Sequence, residues 1–281
     1  MKYFILFLFP FLLSAQTHRF IYEYQYKSDS LAPEFQKDNM ILDINPDDVK
    51  FYPYIYAERD SLNKVQNTRS FIWEEGLPAL RRNRNSNVNT CFILLNDFFK
   101  MESKDEMVWK LSPETKKVAN YTLQKATTIF GGRNWVAWFN NDVNLNEGPY
   151  KFRGLPGLIF DISDDRNYFR FSLIKSYQLK ETYDTANILE TFAGDRPILL
   201  NQKTLLKKQL ELYNDPLHDL KENFKSADGN TKLYVFGTQV KSIEQFKTLS
   251  IQMQERMRKE NNPLELDQAI PYPPLKNKES R

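Results

Sequence analysis

The sequence predicts an α+β protein with a curved, mainly antiparallel β-sheet and helices drawn mostly from the C-terminal third. Two observations support this fold class. Apolar and polar residues alternate through the first two thirds of the chain, as they do on half-buried strands. The last third changes to leucine, lysine and glutamate at helical spacing. A run of strands followed by a run of helices is typical of α+β proteins.

The alternation places the individual strands. The predicted strands cover residues 20–26, 40–44, 49–52, 90–99 and 107–111, and two hairpins follow at 121–140 and 158–177. The first hairpin turns at Gly131-Gly132, because glycine supplies the positive φ angles of tight hairpin turns. The polar stretch 60–68 predicts a loop between strands.

The C-terminal third is predicted to be mainly helical. Residues 203–224 predict two short helices, because Pro216 cannot continue a helix without a kink. Residues 232–236 predict one more strand, and residues 242–260 predict a helix with a single apolar stripe that faces the core. Residues 267–281 contain several prolines and are expected to form an extended or disordered tail.

The first residues have the layout of a secretory signal peptide. Lys2 precedes an apolar run from Phe4 to Leu13, and small residues then allow cleavage after Ala15. The run has about ten residues, whereas a bilayer span needs about twenty, so the chain is not expected to span a membrane. We therefore expect export to the periplasm or the outside, with residues 1–15 removed and residues 16–266 forming a single α+β domain.

The composition is poor in the groups that catalysis and metal binding need. The 39 Lys and Arg residues nearly balance the 36 Asp and Glu residues, which argues against a nucleic-acid partner. One cysteine, Cys91, and two histidines, His18 and His218, supply neither a zinc site nor a nucleophile with its base. We expect no metal, no cofactor and no catalytic residue.

Two further interpretations concern charged residues. Acids near Asp142 to Asp161, with Asp161 paired to Asp164 or to Glu147, keep a hydrolase open as an alternative, since paired carboxylates can act as acid and base. Arg81, Arg82 and Arg84 form a basic cluster on what is predicted to be a loop. A solvated surface is the favoured interpretation of this cluster, and a site for an anionic partner is the alternative.

Residues 148–159 combine turn-forming and apolar residues in the order Gly-Pro-Tyr-Lys-Phe-Arg-Gly-Leu-Pro-Gly-Leu-Ile. Linked motifs precede this segment within residues 109–139, and Asn-Asn-Pro-Leu-Glu-Leu follows at 261–266. On these motifs the chain resembles the GLPGLI family of Bacteroidetes envelope proteins. That family has no settled activity, so the resemblance implies an envelope location and leaves the function open.

The hexapeptide at 154–159 has two interpretations. Pro156 followed by Gly157 is typical of a type II turn, which would steer one hairpin onto the next. The alternative is a rigid exposed loop that docks a partner, formed by Gly154, Leu155, Pro156, Gly157 and Leu158. An exposed apolar patch would support docking, whereas burial would support a structural turn.

The large aromatic residues suggest a second candidate site. We expect one sheet face to carry Trp135, Trp138, Phe139 and Phe152. A thick aromatic core is the favoured interpretation. The alternative is a concave face that holds an apolar or carbohydrate ligand.

These observations together predict a soluble envelope protein that binds a ligand or another protein without catalysis. Its partner could be an outer-membrane protein or a small apolar ligand. The acid-residue hydrolase and a carrier of an apolar ligand in the concave sheet face are the alternatives. A carrier requires an apolar cavity under the sheet, which a filled aromatic core would exclude.

Overall fold

The computed structural model describes residues 17–74, 76–226 and 232–275. The predicted signal peptide and the last six residues of the predicted tail lie outside these ranges. Export and cleavage near Ala15 therefore stay predictions.

An open sheet of twelve strands dominates the structure. In chain order its strands are β1 Thr17–Tyr26, β2 Gln36–Ile44, β3 Asp48–Pro53, β4 Ala79–Asn83, β5 Val88–Leu94, β6 Phe98–Lys104, β7 Lys110–Val118, β8 Tyr121–Phe130, β9 Arg133–Asn140, β10 Leu158–Asp164, β11 Phe169–Leu179 and β12 Ile198–Leu200. Across the sheet the order is β12-β6-β5-β4-β3-β2-β1-β11-β10-β9-β8-β7. Every neighbouring pair is antiparallel except β12 and β6, which are parallel. The predicted α+β class with a curved antiparallel sheet is confirmed.

Most helices lie in the C-terminal third, as predicted. The helices are α1 Tyr54–Gln66, α2 Gln202–Asn214, α3 His218–Ser226 and α4 Gln245–Lys259, with a 3-10 turn at Leu266–Gln268. The break between α2 and α3 falls at Pro216, where a helix cannot continue. A separate two-stranded ribbon, β13 Leu233–Val235 with β14 Thr238–Val240, lies between α3 and α4.

Several sequence-based predictions of local structure are wrong. The strand predicted at 107–111 begins only at Lys110 and runs to Val118. The predicted loop at 60–68 lies largely inside α1. This helix exposes most of its polar residues, and Tyr56, which is 2% exposed, fixes it against the sheet. The predicted single strand at 90–99 is two strands, β5 and β6, which pair with each other after a turn at 95–97. An apolar run alone does not show where a hairpin turns.

The large sheet has two faces, and each carries its own apolar cluster. The inner face holds the main core, with Tyr22, Phe51, Trp135 and Phe171 all at most 1% exposed. The outer face carries a smaller cluster around Tyr52 and α1, beside β4, β5 and β6. Since side chains alternate along a strand, neighbouring residues of one strand contribute to different faces.

The segment after α4 packs against the hairpin of β8 and β9. The guanidinium of Arg133 donates hydrogen bonds to the Leu264 carbonyl at 3.0 Å and to the Asn262 side-chain oxygen at 2.6 Å. Leu264 is 5% exposed and joins the main core. We call residues 261–268 the C-terminal strap. Within the described part of the chain, no helix is long and apolar enough to cross a membrane.

Candidate functional site

The predicted docking loop carries its apolar side chains inward. Leu155 is 1% exposed and Leu158 is fully buried, whereas Gly154 and Pro156 are exposed. By the criterion stated above, this burial favours a structural connection. A docking surface here would have to be formed by Gly154 and Pro156, and that role stays a prediction.

The expected type II turn at this loop is wrong in detail. The positive φ lies at Gly154, at +95°, and not at Gly157. Gly157 is needed for a different reason, because a Cβ there would lie 2.0 Å from the Asn140 carbonyl oxygen. The glycine lets the loop approach the end of β9 closely.

The four predicted aromatic residues do not share one face. Trp135, Phe139 and Phe152 are fully buried in the main core, where the rings of Trp135 and Phe152 lie 4.6 Å apart. Trp138 is half-buried and lies outside this core. The Lys116 ammonium stands 4.4 Å from the centre of its ring. The inner face is thus filled by its own aromatic side chains, as a thick core requires.

The acids predicted for a hydrolase do not meet in one site. Glu147 is buried in an ion pair with Arg82, and Asp164 is buried against Arg133. Asp161 accepts a hydrogen bond from Arg170 at 2.6 Å. Burial raises the pKa of Glu147 above its usual range, and the pairing with Arg82 counteracts only part of this effect.

An open cleft of about 680 Å³ lies on the outer face, and of its lining the sequence singled out only Arg81 and Arg82, as part of the basic cluster. Its floor is formed by strands β4, β5 and β6, through the side chains of Arg81, Thr90, Phe92, Lys100 and Glu102. Register explains their proximity, because Arg81, Thr90 and Glu102 lie opposite one another on adjacent strands. Alternate positions on one strand face the same side, so Lys100 joins Glu102 there. We call this site the outer cleft.

The wall of the outer cleft is the segment 186–197, which lacks regular secondary structure for most of its length. It is nonetheless firmly held. Leu189 is fully buried in the outer cluster, and the Phe192 ring packs edge-on against Trp73 at 5.9 Å. Phe192 and Asp195 exchange two backbone hydrogen bonds of 3.0 and 2.9 Å. The wall is therefore preorganised beside the floor.

Several charged groups of the outer cleft have no partner in the described residues. The side chains of Lys100, Glu102 and Arg196 line the cleft, and they make no hydrogen bond or ion pair with any residue that the structure describes. Glu190 is partly paired, because its Oε1 accepts a hydrogen bond from Thr185 at 3.0 Å and lies 3.6 Å from the Arg81 guanidinium. Its other oxygen, Oε2, is shielded from solvent and has no donor there. Such a buried acceptor costs free energy unless a water or a ligand donates to it.

The basic cluster at 81–84 belongs to this region but is not the predicted loop. Arg81 and Arg82 lie on β4 and point to opposite faces. The Arg81 guanidinium lines the cleft and donates to Asp48 at 3.0 Å. Arg82 is 6% exposed and pairs with Glu147. If residues 79–83 had been recognised as a strand, its alternation would have predicted that one of Arg81 and Arg82 is exposed and the other buried.

A smaller cleft of about 240 Å³ lies between the β5–β6 turn and the α2–α3 corner. His218 and Asp215 line it, and the imidazole Nδ1 lies 2.9 Å from the Asp215 carboxylate. Both side chains are about half exposed. Among the described residues, no group of His, Cys, Asp and Glu is arranged to hold a metal ion.

Comparison with known proteins identifies a family model that matches one segment of the chain and solved structures with a similar fold. A family model described as "Protein of unknown function (Porph_ging)" matches residues 131–161. The hexapeptide at 154–159 lies inside this match, which is consistent with the GLPGLI resemblance. No curated protein matches the chain.

Two crystal structures are similar to this chain, "Structure of PNGF-II in P21 space group" and the same protein in space group C2. Each has a TM-score of 0.51 and 17% sequence identity, and the match covers 69% of this chain. It covers 33% and 32% of the respective PNGF-II chains, so this chain spans about a third of their length. At this identity the likeness shows a shared fold alone.

Proposed function

We propose that the protein is an exported, non-catalytic binding module that holds a polar ligand in the outer cleft. One observation carries the proposal: a preorganised cleft of about 680 Å³ contains charged side chains without partners in the described residues. Ligand sites commonly have volumes of about 300–1,000 Å³ and a few convergent polar groups. Glu102 and Arg196 are exposed and Lys100 is half-buried, so these charges are accessible to a complementary polar ligand.

The aromatic packing of the inner face disfavours the apolar carrier. Trp135, Phe139 and Phe152 fill the space under the sheet with their own rings. Neither of the two clefts described above lies on that face. The proposed ligand is therefore polar, and its site is on the opposite side of the sheet.

Native mass spectrometry of the protein, purified gently from the envelope of the cell that makes it, tests the proposal. We expect a small molecule to be retained by the natural sequence and lost from Thr90→Trp, which places an indole on the cleft floor. Thr127→Trp is the matched control, because Thr127 is a half-buried strand threonine outside both clefts. Equal retention by the natural protein and Thr90→Trp, or a bare protein throughout, would contradict the proposal.

A further inference from the structure

The two-stranded ribbon of β13 and β14 is held to the helices by one of its two sides. Leu233, Val235 and Val240 pack into an apolar cluster with residues of α3 and α4. Tyr234 and Phe236 lie outside this cluster and are 57% and 48% exposed. The fold therefore uses one side of the ribbon and leaves two large aromatic side chains in contact with solvent.

The tip of the ribbon holds an aromatic residue at a position where the backbone disfavours one. Val235 pairs with Thr238, so Phe236 and Gly237 are the two turn residues, with φ angles of +50° and +74°. Such turns favour Asn, Asp or Gly at the first of these positions, because a bulky residue at positive φ is strained. Tyr150 also has a positive φ, but it is 7% exposed and belongs to the main core. Phe236 has no comparable burial to offset its strain, which points to a role outside folding.

The base of the ribbon is positively charged. Lys232 comes just before β13 and Lys241 just after β14, and these strands are antiparallel, so the two lysines follow the last paired residues side by side. Both are exposed, and like charges at such neighbouring positions repel each other. Residues 232–247 contain three lysines and one acid, Glu244. An anionic surface would complement this excess of positive charge.

We propose that the ribbon docks the protein onto an anionic lipid bilayer, with Tyr234 and Phe236 in the membrane interface and Lys232 and Lys241 at the headgroups. Three strand residues separate the base from the tip, which is about 10 Å at about 3.3 Å per residue. Interfacial segments bury their apolar side chains about 5–10 Å into the boundary between headgroups and acyl chains, where aromatic residues are enriched. An acidic protein would match the lysines alone, whereas an anionic bilayer matches the order of charged base and aromatic tip. This inference is independent of the outer cleft.

Sedimentation with lipid vesicles tests the inference. The protein used is residues 16–281, which include every residue that the structure describes and leave out the apolar run of the predicted signal peptide. We expect it to bind phosphatidylcholine vesicles that contain about a third phosphatidylglycerol, and to bind pure phosphatidylcholine about tenfold more weakly or worse, since each lysine near an anionic surface adds to the affinity. No binding to the anionic vesicles, or equal binding to both kinds, would overturn the inference.

Phe236→Asn separates lipid binding from folding. Because Asn tolerates a φ of +50°, this variant should unfold at the same urea concentration as the natural protein or at a higher one, while its affinity for anionic vesicles falls about tenfold. Phe71→Asn is the matched control, since Phe71 is 51% exposed and lies outside regular secondary structure and outside the ribbon. Undiminished vesicle binding by Phe236→Asn, or an equal loss in Phe71→Asn, would show that the tip does not enter the bilayer.

A double variant, Lys232→Gln with Lys241→Gln, tests the base of the ribbon. It should lose the preference for anionic vesicles, whereas Lys37→Gln with Lys104→Gln removes the same charge from exposed sites elsewhere and should keep it. A preference that survives the loss of Lys232 and Lys241 would contradict the proposed orientation. If the vesicles stay free and an envelope protein crosslinks to the ribbon, the occupant is a protein and the inference is wrong.

Discussion

The inner face of the large sheet and the outer cleft use charged residues in different ways, although the outer face also holds one buried pair beside Tyr52, Arg19 with Asp43 at 2.6 Å. On the inner side the buried charges are paired: Arg82 with Glu147, Arg133 with Asp164, and Lys151 with Glu265 at 2.8 Å. In the outer cleft Lys100, Glu102 and Arg196 have no partner among the described residues. Because a buried unpaired charge is costly, the inner pairs are structural requirements. The unpaired groups of the outer cleft are half-buried or exposed, so the fold does not require them to be paired, and they support the proposed binding site. The comparison can be tested by perturbing one face at a time.

The largest expected effect is the protection of the Cys91 thiol, which lies in the inner core of the folded protein and is exposed in the unfolded chain. Burial raises the pKa of this thiol to about 12, so at pH 8 the native protein should contain about a thousandfold less thiolate than the unfolded chain. Iodoacetamide labelling at pH 8, followed by mass spectrometry, should be slow in the native protein and fast in urea. The chain has one cysteine, so the labelled site is unambiguous. Rapid labelling of the native protein would contradict a dry core at this position.

The raised pKa of Cys91 also makes the free energy of unfolding depend on pH. The unfolded chain loses the thiol proton near pH 9, while the folded protein keeps it until about pH 12. Above pH 9 the unfolded state therefore binds fewer protons, and this group lowers the free energy of unfolding as the pH rises. Below pH 9 the thiol is protonated in both states, and the effect disappears.

The two tryptophans of β9 compare a core position with a surface position. Trp135→Ala should lower the free energy of unfolding by about 4 kcal/mol, because Trp135 is fully buried against Phe152. Trp138→Ala should cost about 1 kcal/mol, since the half-buried ring loses mainly its contact with Lys116. Urea unfolding of both variants measures the difference. Equal losses would mean that Trp138 belongs to the core as well.

Arg133 tests whether the inner ion pairs hold the C-terminal strap. Arg133→Ala should cost about 3 kcal/mol, at the lower end for breaking a buried pair, because Asp164 keeps two backbone donors, Tyr168 and Phe169. The strap should also become more accessible to proteases, as it loses the donors to Asn262 and Leu264. Arg170→Ala is the control, because its pair with Asp161 is partly exposed and is worth about 1 kcal/mol or less. A protected strap in Arg133→Ala would show that other contacts hold it.

The sequence predicted the sheet well where side chains alternate and poorly where tertiary contacts decide. The alternation of Tyr22 and Tyr24, and the glycines at 131 and 132, placed β1 and the β8–β9 hairpin. Helix α1 was missed, because a mostly polar segment becomes helical when Tyr56 packs on the sheet. The outer cleft was missed for a related reason. The cleft brings Lys100 and Arg196 together although they are far apart in sequence, and no local sequence pattern predicts that they lie close in the fold.

Removing the charges of the outer cleft should have the smallest effect on stability and thereby sharpen the contrast between the cleft and the buried inner pairs. Lys100→Met and Arg196→Gln should each change the free energy of unfolding by about 0.5 kcal/mol or less, because neither side chain has a described partner to lose. Removing one partner of the Arg82–Glu147 pair should cost several times more, since it leaves a buried charge alone. Urea unfolding of Lys100→Met beside Arg82→Met makes the comparison. A large loss in Lys100→Met would mean that Lys100 supports the fold, and the unpaired charges of the outer cleft would then no longer indicate a site kept for a ligand.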